Sequence, residues 1–307
     1  MAHQVETMAY AGEVPWHGLG HKVPSDLSTE QMMKAAQLDW TVQKIPAFVN
    51  IDNESQAIDA AALVRSSDNK ILDVVSSDWN PVQNHEAFDF FNDFVNAGDM
   101  EMHTAGSLKG GQIVWALAKI KDSFELFGGD QVDSYMLFTN PHVYGQSLDI
   151  RFTPIRVVCN NTLTLSLSQR GGKMFKLNHR KEFVADQAKV ALGIAHAKLD
   201  EYKEMATYLG GKRYTKESIT EYFNQLFPAG GEKVSRNSNK ALEILETQPG
   251  AGFAEGSWWQ AFNTVTYMTD HVMGRSSDAR LQSAWFGANK SLKNKALELA
   301  LDMAQAA

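Results

Sequence analysis

The strongest constraint on the fold is a change of period partway along the chain. Up to about Phe183 the apolar residues alternate in short runs; from Val184 onward they recur near every 3.6 residues. Strands gathered in one half and helices in the other make an α+β protein, whereas a doubly wound parallel sheet would alternate the two. The sequence therefore predicts a β-rich half, residues 1–182, forming a twisted antiparallel sheet. A helical half, residues 183–307, packs on it, and the two form one integrated domain.

Residues 41–51 alternate and are rich in β-branched side chains, with Pro46 marking an edge or a bulge. Residues 62–65 and 71–75 flank the turn-type cluster Ser66-Ser67-Asp68-Asn69-Lys70 and read as a hairpin. A second hairpin joins 102–108 to 112–120 through Lys109-Gly110-Gly111, and further strands are expected at 132–139 and 144–152. Between the hairpins, residues 84–96 place Phe88, Phe91 and Val95 on one helical face. Residues 157–167 fit either a strand or a helix capped near Asn160 or Asn161, and the pattern leaves both open. In the second half, helices are expected at 184–208, from Thr215 to before Pro228, at 237–246, at 257–272 and at 292–303.

Composition narrows the class. One cysteine, Cys159, excludes an internal disulfide and a Cys-based zinc site. No apolar stretch is long enough to span a bilayer, and the first residues lack the basic-then-apolar order of a secretory signal. A protein of the bacterial cytoplasm is expected, without a membrane, metal or cofactor. The net charge of −7 argues against nucleic-acid binding over the whole surface. The charge is unevenly spread, however. Residues 151–181 hold seven cations and no Asp or Glu, against 22 basic and 36 acidic residues elsewhere.

That span is the leading candidate site. Arg151, Arg156, Arg170, Lys173, Lys176, Arg180 and Lys181 supply the charge that displaces counterions from phosphates. Phe152 and Phe175 offer stacking faces for unpaired bases. Asn160 and Asn161 supply hydrogen bonds to phosphate or sugar, and Gly171-Gly172 lets a loop approach a backbone closely. The competing reading is that the plentiful acids elsewhere neutralise these cations one by one.

Other motifs carry less. His17 and His21 would share a face only on a helix, which Pro15, Gly18 and Gly20 oppose, so the segment reads as a loop plugged onto the core. Cys159 between apolar neighbours reads as a small core residue. Arg170-Gly171-Gly172-Lys173 lacks the spacing of a phosphate-binding P-loop. Trp259, Phe262, Val265 and Thr266 follow core spacing, while Arg275, Arg280 and Lys290 to Lys295 make a weaker second basic zone able to extend a groove.

Three segments carry a resemblance. Met1-Ala2-His3 to Tyr10 leads into Pro15-Trp16-His17-Gly18-Leu19-Gly20. The centre reads Thr153-Pro154-Ile155-Arg156-Val157-Val158-Cys159-Asn160-Asn161-Thr162-Leu163. Residues 263–271, Trp285-Phe286-Gly287 and residues 293–297 close the chain. Together they resemble a widespread family of phage- and plasmid-borne proteins of unknown function. The resemblance implies a role in mobile-element DNA metabolism. A remote similarity to single-strand annealing recombinases implies a curved sheet with helices, assembled into rings.

The expected function is thus a non-catalytic single-stranded DNA-binding or annealing protein that self-associates, since one such groove covers few nucleotides. An enzyme acting on a nucleotide or small molecule through His17, His179 or Cys159 is the alternative. An interaction protein that blocks a host factor ranks last, because the acids are scattered rather than blocked together.

Overall fold

The computed structural model describes residues 5–12, 18–156, 161–162, 165–166, 176–177, 186–229, 235–274 and 276–306. In chain order the strands are β1 (Val5–Ala11), β2 (His21–Val23), β3 (Val42–Ile51), β4 (Glu54–Arg65), β5 (Ile71–Ser76), β6 (Met100–Leu108), β7 (Ile113–Leu126), β8 (Asp130–Pro141) and β9 (Leu148–Arg156). Three short pieces follow: β10 (Asn161–Thr162), β11 (Leu165–Ser166) and β12 (Lys176–Leu177). The helices are α1 (Thr29–Ala35), α2 (Asn84–Ala97), α3 (Asp186–Gly211), α4 (Lys216–Leu226), α5 (Arg236–Ile244), α6 (Trp258–Tyr267), α7 (Ser277–Phe286) and α8 (Ala288–Ala306). The protein is α+β: strands fill the first half and helices the second.

The strands form two sheets. The larger runs β10-β9-β8-β7-β6-β1-β2, with β11 and β12 also paired to β9. Its ladders are antiparallel except β1–β2, which is parallel. The smaller sheet is β3-β4-β5. β1 is a strand the alternation did not reveal, and it lies between β2 and β6. β4 begins at Glu54, well before the expected 62–65, because its outer part carries polar and small residues in water and shows no contrast to read. β9 starts at Leu148; residues 144–147 turn instead, with Gly145 at φ +75°. Residues 161–162 and 165–166, open between strand and helix, are strand.

Alternation assigns the faces of the large sheet. One face, with Met102, Ala116, Met136, Phe138 and Ile150, joins a single apolar cluster with Phe88 and Phe91 of α2, Tyr202 of α3 and Trp259 and Phe262 of α6. Side chains from both halves of the chain meet there. Trp259 also donates from its indole nitrogen to Asp130 across 3.0 Å, fixing α6 to the start of β8. The other face, with Met8, Trp115, Leu117 and Leu137, is covered by Leu281, Ala284 and Trp285 of α7. Trp115 and Trp285 meet edge to face at 4.7 Å.

Two glycines are dictated by close approach. Gly20, at φ +89°, lies against strand β1, where a Cβ would sit 2.9 Å from the Met8 carbonyl oxygen. Gly210 of α3 receives the Phe127 ring from the β7–β8 turn, and a Cβ there would overlap the ring at 1.9 Å. Local signals set the helix starts: Ser28 and Thr215 form capping boxes with Gln31 and Ser218, satisfying otherwise orphaned N–H groups.

The small sheet is tied to the large one by charge. Arg65 of β4 donates to Glu6 of β1 at 2.7 and 2.9 Å and to Asp68 at 2.9 and 2.7 Å. Those hydrogen bonds hold the Glu6 carboxyl below its ordinary range and that of Asp68 at about 2.

Candidate functional site

β9 organises the site. Three pieces of the acid-free span lie antiparallel along its outer edge. Asn161 and Thr162 pair with Arg156 and Ile155, and Leu165 and Ser166 with Phe152 and Arg151. Lys176 and Leu177 pair with Asp149 and Leu148. The first two pieces keep one register, while the third is offset, with the stretch that contains Arg170 and Lys173 between them. The backbone thus brings Arg151, Arg156, Asn161 and Lys176 to one margin of the sheet. Asn160, Arg170, Lys173, Phe175, Arg180 and Lys181 lie outside the described residues, as do His17, Cys159 and His179.

Arg151 is held by its own strand. Its Nε donates to Asp149 at 2.5 Å, and its terminal nitrogens reach Asp149 and, at 2.6 Å, the Trp285 carbonyl. The Phe286 ring lies under the guanidinium at 5.4 Å. The side chain is 15% exposed. Arg151 therefore joins α7 to the sheet, and its charge is compensated rather than displayed. A guanidinium carries five N–H donors, and these contacts engage three of them. A cavity of about 250 Å³ borders the group, lined also by Lys109, Gln146 and Ser147. Lys109 is exposed at the β6–β7 turn with φ +53°, so the cavity has a second cation at its rim. The Asp149 carboxylate lines the same cavity, so Lys109 is the cation there that Asp149 does not clasp.

The same sheet face changes character toward its other end. Lys119 of β7 donates to Asp133 of β8 at 2.6 Å. His103, at a bulge in β6, shares a hydrogen bond of 2.7 Å with the Thr104 hydroxyl and meets Tyr135 edge to face at 5.0 Å. Burial, reinforced by the Lys119 charge, lowers the His103 imidazole to about 4 and keeps it neutral near pH 7. Sequence reasoning passed over this group because its members lie far apart along the chain. Asp149 had a signal, since residues two apart on a strand share a face.

Within the second basic zone, Lys293 is not a surface cation. Lys293 is fully buried and donates to the equally buried Asp270 at 2.9 Å. Burial lowers the Lys293 amine from its ordinary value while Asp270 opposes the shift. Asp270 sits in a π-helical turn, Met268–Val272, that continues α6. Lys293 therefore cannot extend a groove. Lys295 donates to the Gln225 carbonyl at 3.3 Å. Trp259, Phe262, Val265 and Thr266 are buried as their spacing predicts.

His142 serves structure. His142 is buried, bonds Asn84 at 3.1 Å and lies against Trp40 at 5.4 Å, while His21 is exposed on β2. Among the described residues no group of three or more His, Cys, Asp or Glu is placed to hold a metal ion. No described helix is long and apolar enough to cross a membrane.

Residues 71–285 match the family whose description is Domain of unknown function (DUF932). The match runs from the start of β5 to Trp285, so it includes the central Thr153–Leu163 segment and leaves out Pro15–Gly20. No curated protein and no solved structure matches the chain.

Proposed function

The chain belongs to the DUF932 family, and from its own fold we propose that it is a non-catalytic binder of single-stranded DNA that assembles into oligomers and serves mobile-element DNA metabolism in a bacterial cytoplasm. The observation that supports this reading is that the described pieces of the acid-free span, Asn161–Thr162, Leu165–Ser166 and Lys176–Leu177, pair along one margin of the nine-stranded sheet. A sheet edge is an extended track, and a single strand of DNA is an extended chain of phosphates. Cations along such a track bind by releasing counterions, and aromatic rings among them stack on bases of any sequence. Holding a strand extended with its bases unpaired favours its meeting a complement, which is annealing without a chemical step.

Arg151 contributes as an anchor. Its contacts with Asp149 and Trp285 preorganise it, and it lines the cavity that Lys109 also borders. The rest of the electrostatic work falls to Arg156, Arg170, Lys173, Lys176, Arg180 and Lys181, with Asn160, Asn161 and Phe175 beside them.

The test is binding to labelled single- and double-stranded oligonucleotides over a range of salt. The parent should prefer single strands and lose affinity steeply as salt rises. Replacing Arg170, Lys173, Lys176 and Lys181 together by Ala should abolish measurable binding near physiological salt. If weak binding survives at low salt, its salt slope should fall by about 3, at ~0.7 for each phosphate of a single strand left without its cation. A quadruple variant that binds as well as the parent would overturn the reading.

A further inference from the structure

We propose that the outward face of the β3-β4-β5 sheet is the contact between copies of this chain, two such faces packing against each other about a two-fold axis. This deepens the self-association in the function proposed above and rests on that part of it. The register puts Ile45, Ala62 and Val74 side by side across the three strands, and Val64 beside Ile71. Val49 and Ile51 share this face through their partners Gln56 and Glu54, and alternation along β4 adds Ile58. Six large apolar side chains therefore stand on one face, and all six are exposed, from 38% at Val49 to 62% at Ile71. Contiguous apolar patches of this kind are rare on the free surface of a monomer.

Charge decides what covers the face. Lys44 and Asp73 lie across from Leu63, on the opposite side of the sheet, and alternation places Asp59 there as well. The outward face carries no charge except Glu54 at the tip. A surface without charge meets no repulsion from its own image, and depletion of charge marks the core of homodimer contacts. A partner of different chemistry would be selected by complementary charges, which this face does not offer. Self-complementarity of one patch is what a two-fold contact requires.

The mode of contact follows from the edge. At the base of β3 the Gln83 amide occupies the free edge, accepting from the Val42 N–H at 2.8 Å and donating to the Val42 carbonyl at 3.0 Å. Farther along, Pro46 has no N–H to give. Strand addition at this edge is thus obstructed, whereas face-to-face packing, with sheets about 10 Å apart, buries the apolar side chains directly.

Light scattering on the purified full chain tests the proposal. The parent should have a mass at least twice that of the monomer, dissociating on dilution. Ile45→Asp combined with Val74→Asp should give the monomer with an unchanged circular dichroism spectrum. Phe48→Ser, on the opposite face of the sheet, should leave the oligomer intact. A parent that stays monomeric up to its solubility limit, or a double variant that keeps the parent mass, would overturn it. So would dissociation by Phe48→Ser alone. Binding of a short oligonucleotide, measured on the same samples, separates the two proposals. Loss of mass with short-strand binding retained supports the contact. A parent that oligomerises through this face but binds no DNA keeps the contact and removes the DNA reading.

Discussion

The two sheets of this protein are built from similar strands and meet opposite fates. The nine-stranded sheet is covered on one face by α2, α3 and α6 and on the other, in part, by α7. The three-stranded sheet packs Val42, Leu63 and Val75 inward and leaves Ile45, Ile71 and Val74 in water. Apolar content does not separate them. What separates them is where charge is spent. In the body, charged groups sit inside or at seams and tie elements together: Lys293 to Asp270, Arg151 to Asp149 and Trp285, Arg65 to Glu6. In the small sheet, charge is kept off one face except at the tip, where Glu54 stands.

If that contrast holds, damage to the body should cost stability and damage to the outward face should not. The largest effect is expected at Lys293. Lys293→Ala leaves Asp270 buried without its cation and should cost about 3–5 kcal/mol in denaturant unfolding. Lys293→Met with Asp270→Leu should recover most of that loss, because an apolar pair of similar size needs no neutralisation. A mild effect of the single change would show that water reaches the pair.

The next largest effect is set by pH. The folded His103 pKa of about 4 lies below the ordinary 6.5, so the unfolded chain takes up the proton first as pH falls. The neutral form's contribution is complete above about pH 6.5. It is lost progressively toward pH 4 and levels off below, a change of about 3 kcal/mol at 1.36 kcal/mol per unit. His103→Gln should flatten the stability curve over that window, measured as denaturant midpoint against pH.

A smaller change is expected on the helical cover. Trp259→Phe keeps most of the aromatic contact with Tyr202 but removes the hydrogen bond to Asp130, for about 1–3 kcal/mol. The smallest effect sharpens the contrast from the other side. Ile45→Ser should change the stability of the dilute protein by no more than about 0.5 kcal/mol. A cost of several kcal/mol would mean that the outward face is buried within a single chain.

Much of the architecture was legible where period and contrast were strong. The α+β division follows from the change near Phe183, and both hairpin turns, at 66–70 and 109–111, fall where Ser, Asp, Asn and Gly cluster. The Trp259 to Thr266 stripe announces a buried helix. β1 was hidden because Val5–Ala11 mixes small and polar residues, and α1 because it has only seven residues. The ends of the helices shift by a few residues: α3 runs to Gly211, through two glycines that read as a stop, and Gly210 is there because the Phe127 ring takes the space of a side chain. At the candidate site the cations were visible and their placement was not. Composition counts Arg151 and Lys293 alike as positive, whereas one is clasped by its neighbour two residues away and the other is sealed inside a helix bundle. Which acid meets which base is a property of the fold.

The strand order has a consequence for biosynthesis. β1 is an interior strand of the large sheet, flanked by β2 and β6. Of the described strands it leaves the ribosome before the others, yet its antiparallel mate β6 begins only at Met100. At about 5–20 residues per second, several seconds separate the two. During that interval the available companion is β2, a three-residue parallel strand that begins just after Gly20. A bulkier residue at position 20 would push β2 away and leave the nascent Met8–Ala11 stretch unaccompanied, which makes Gly20 a determinant of yield during translation as much as of the finished shape.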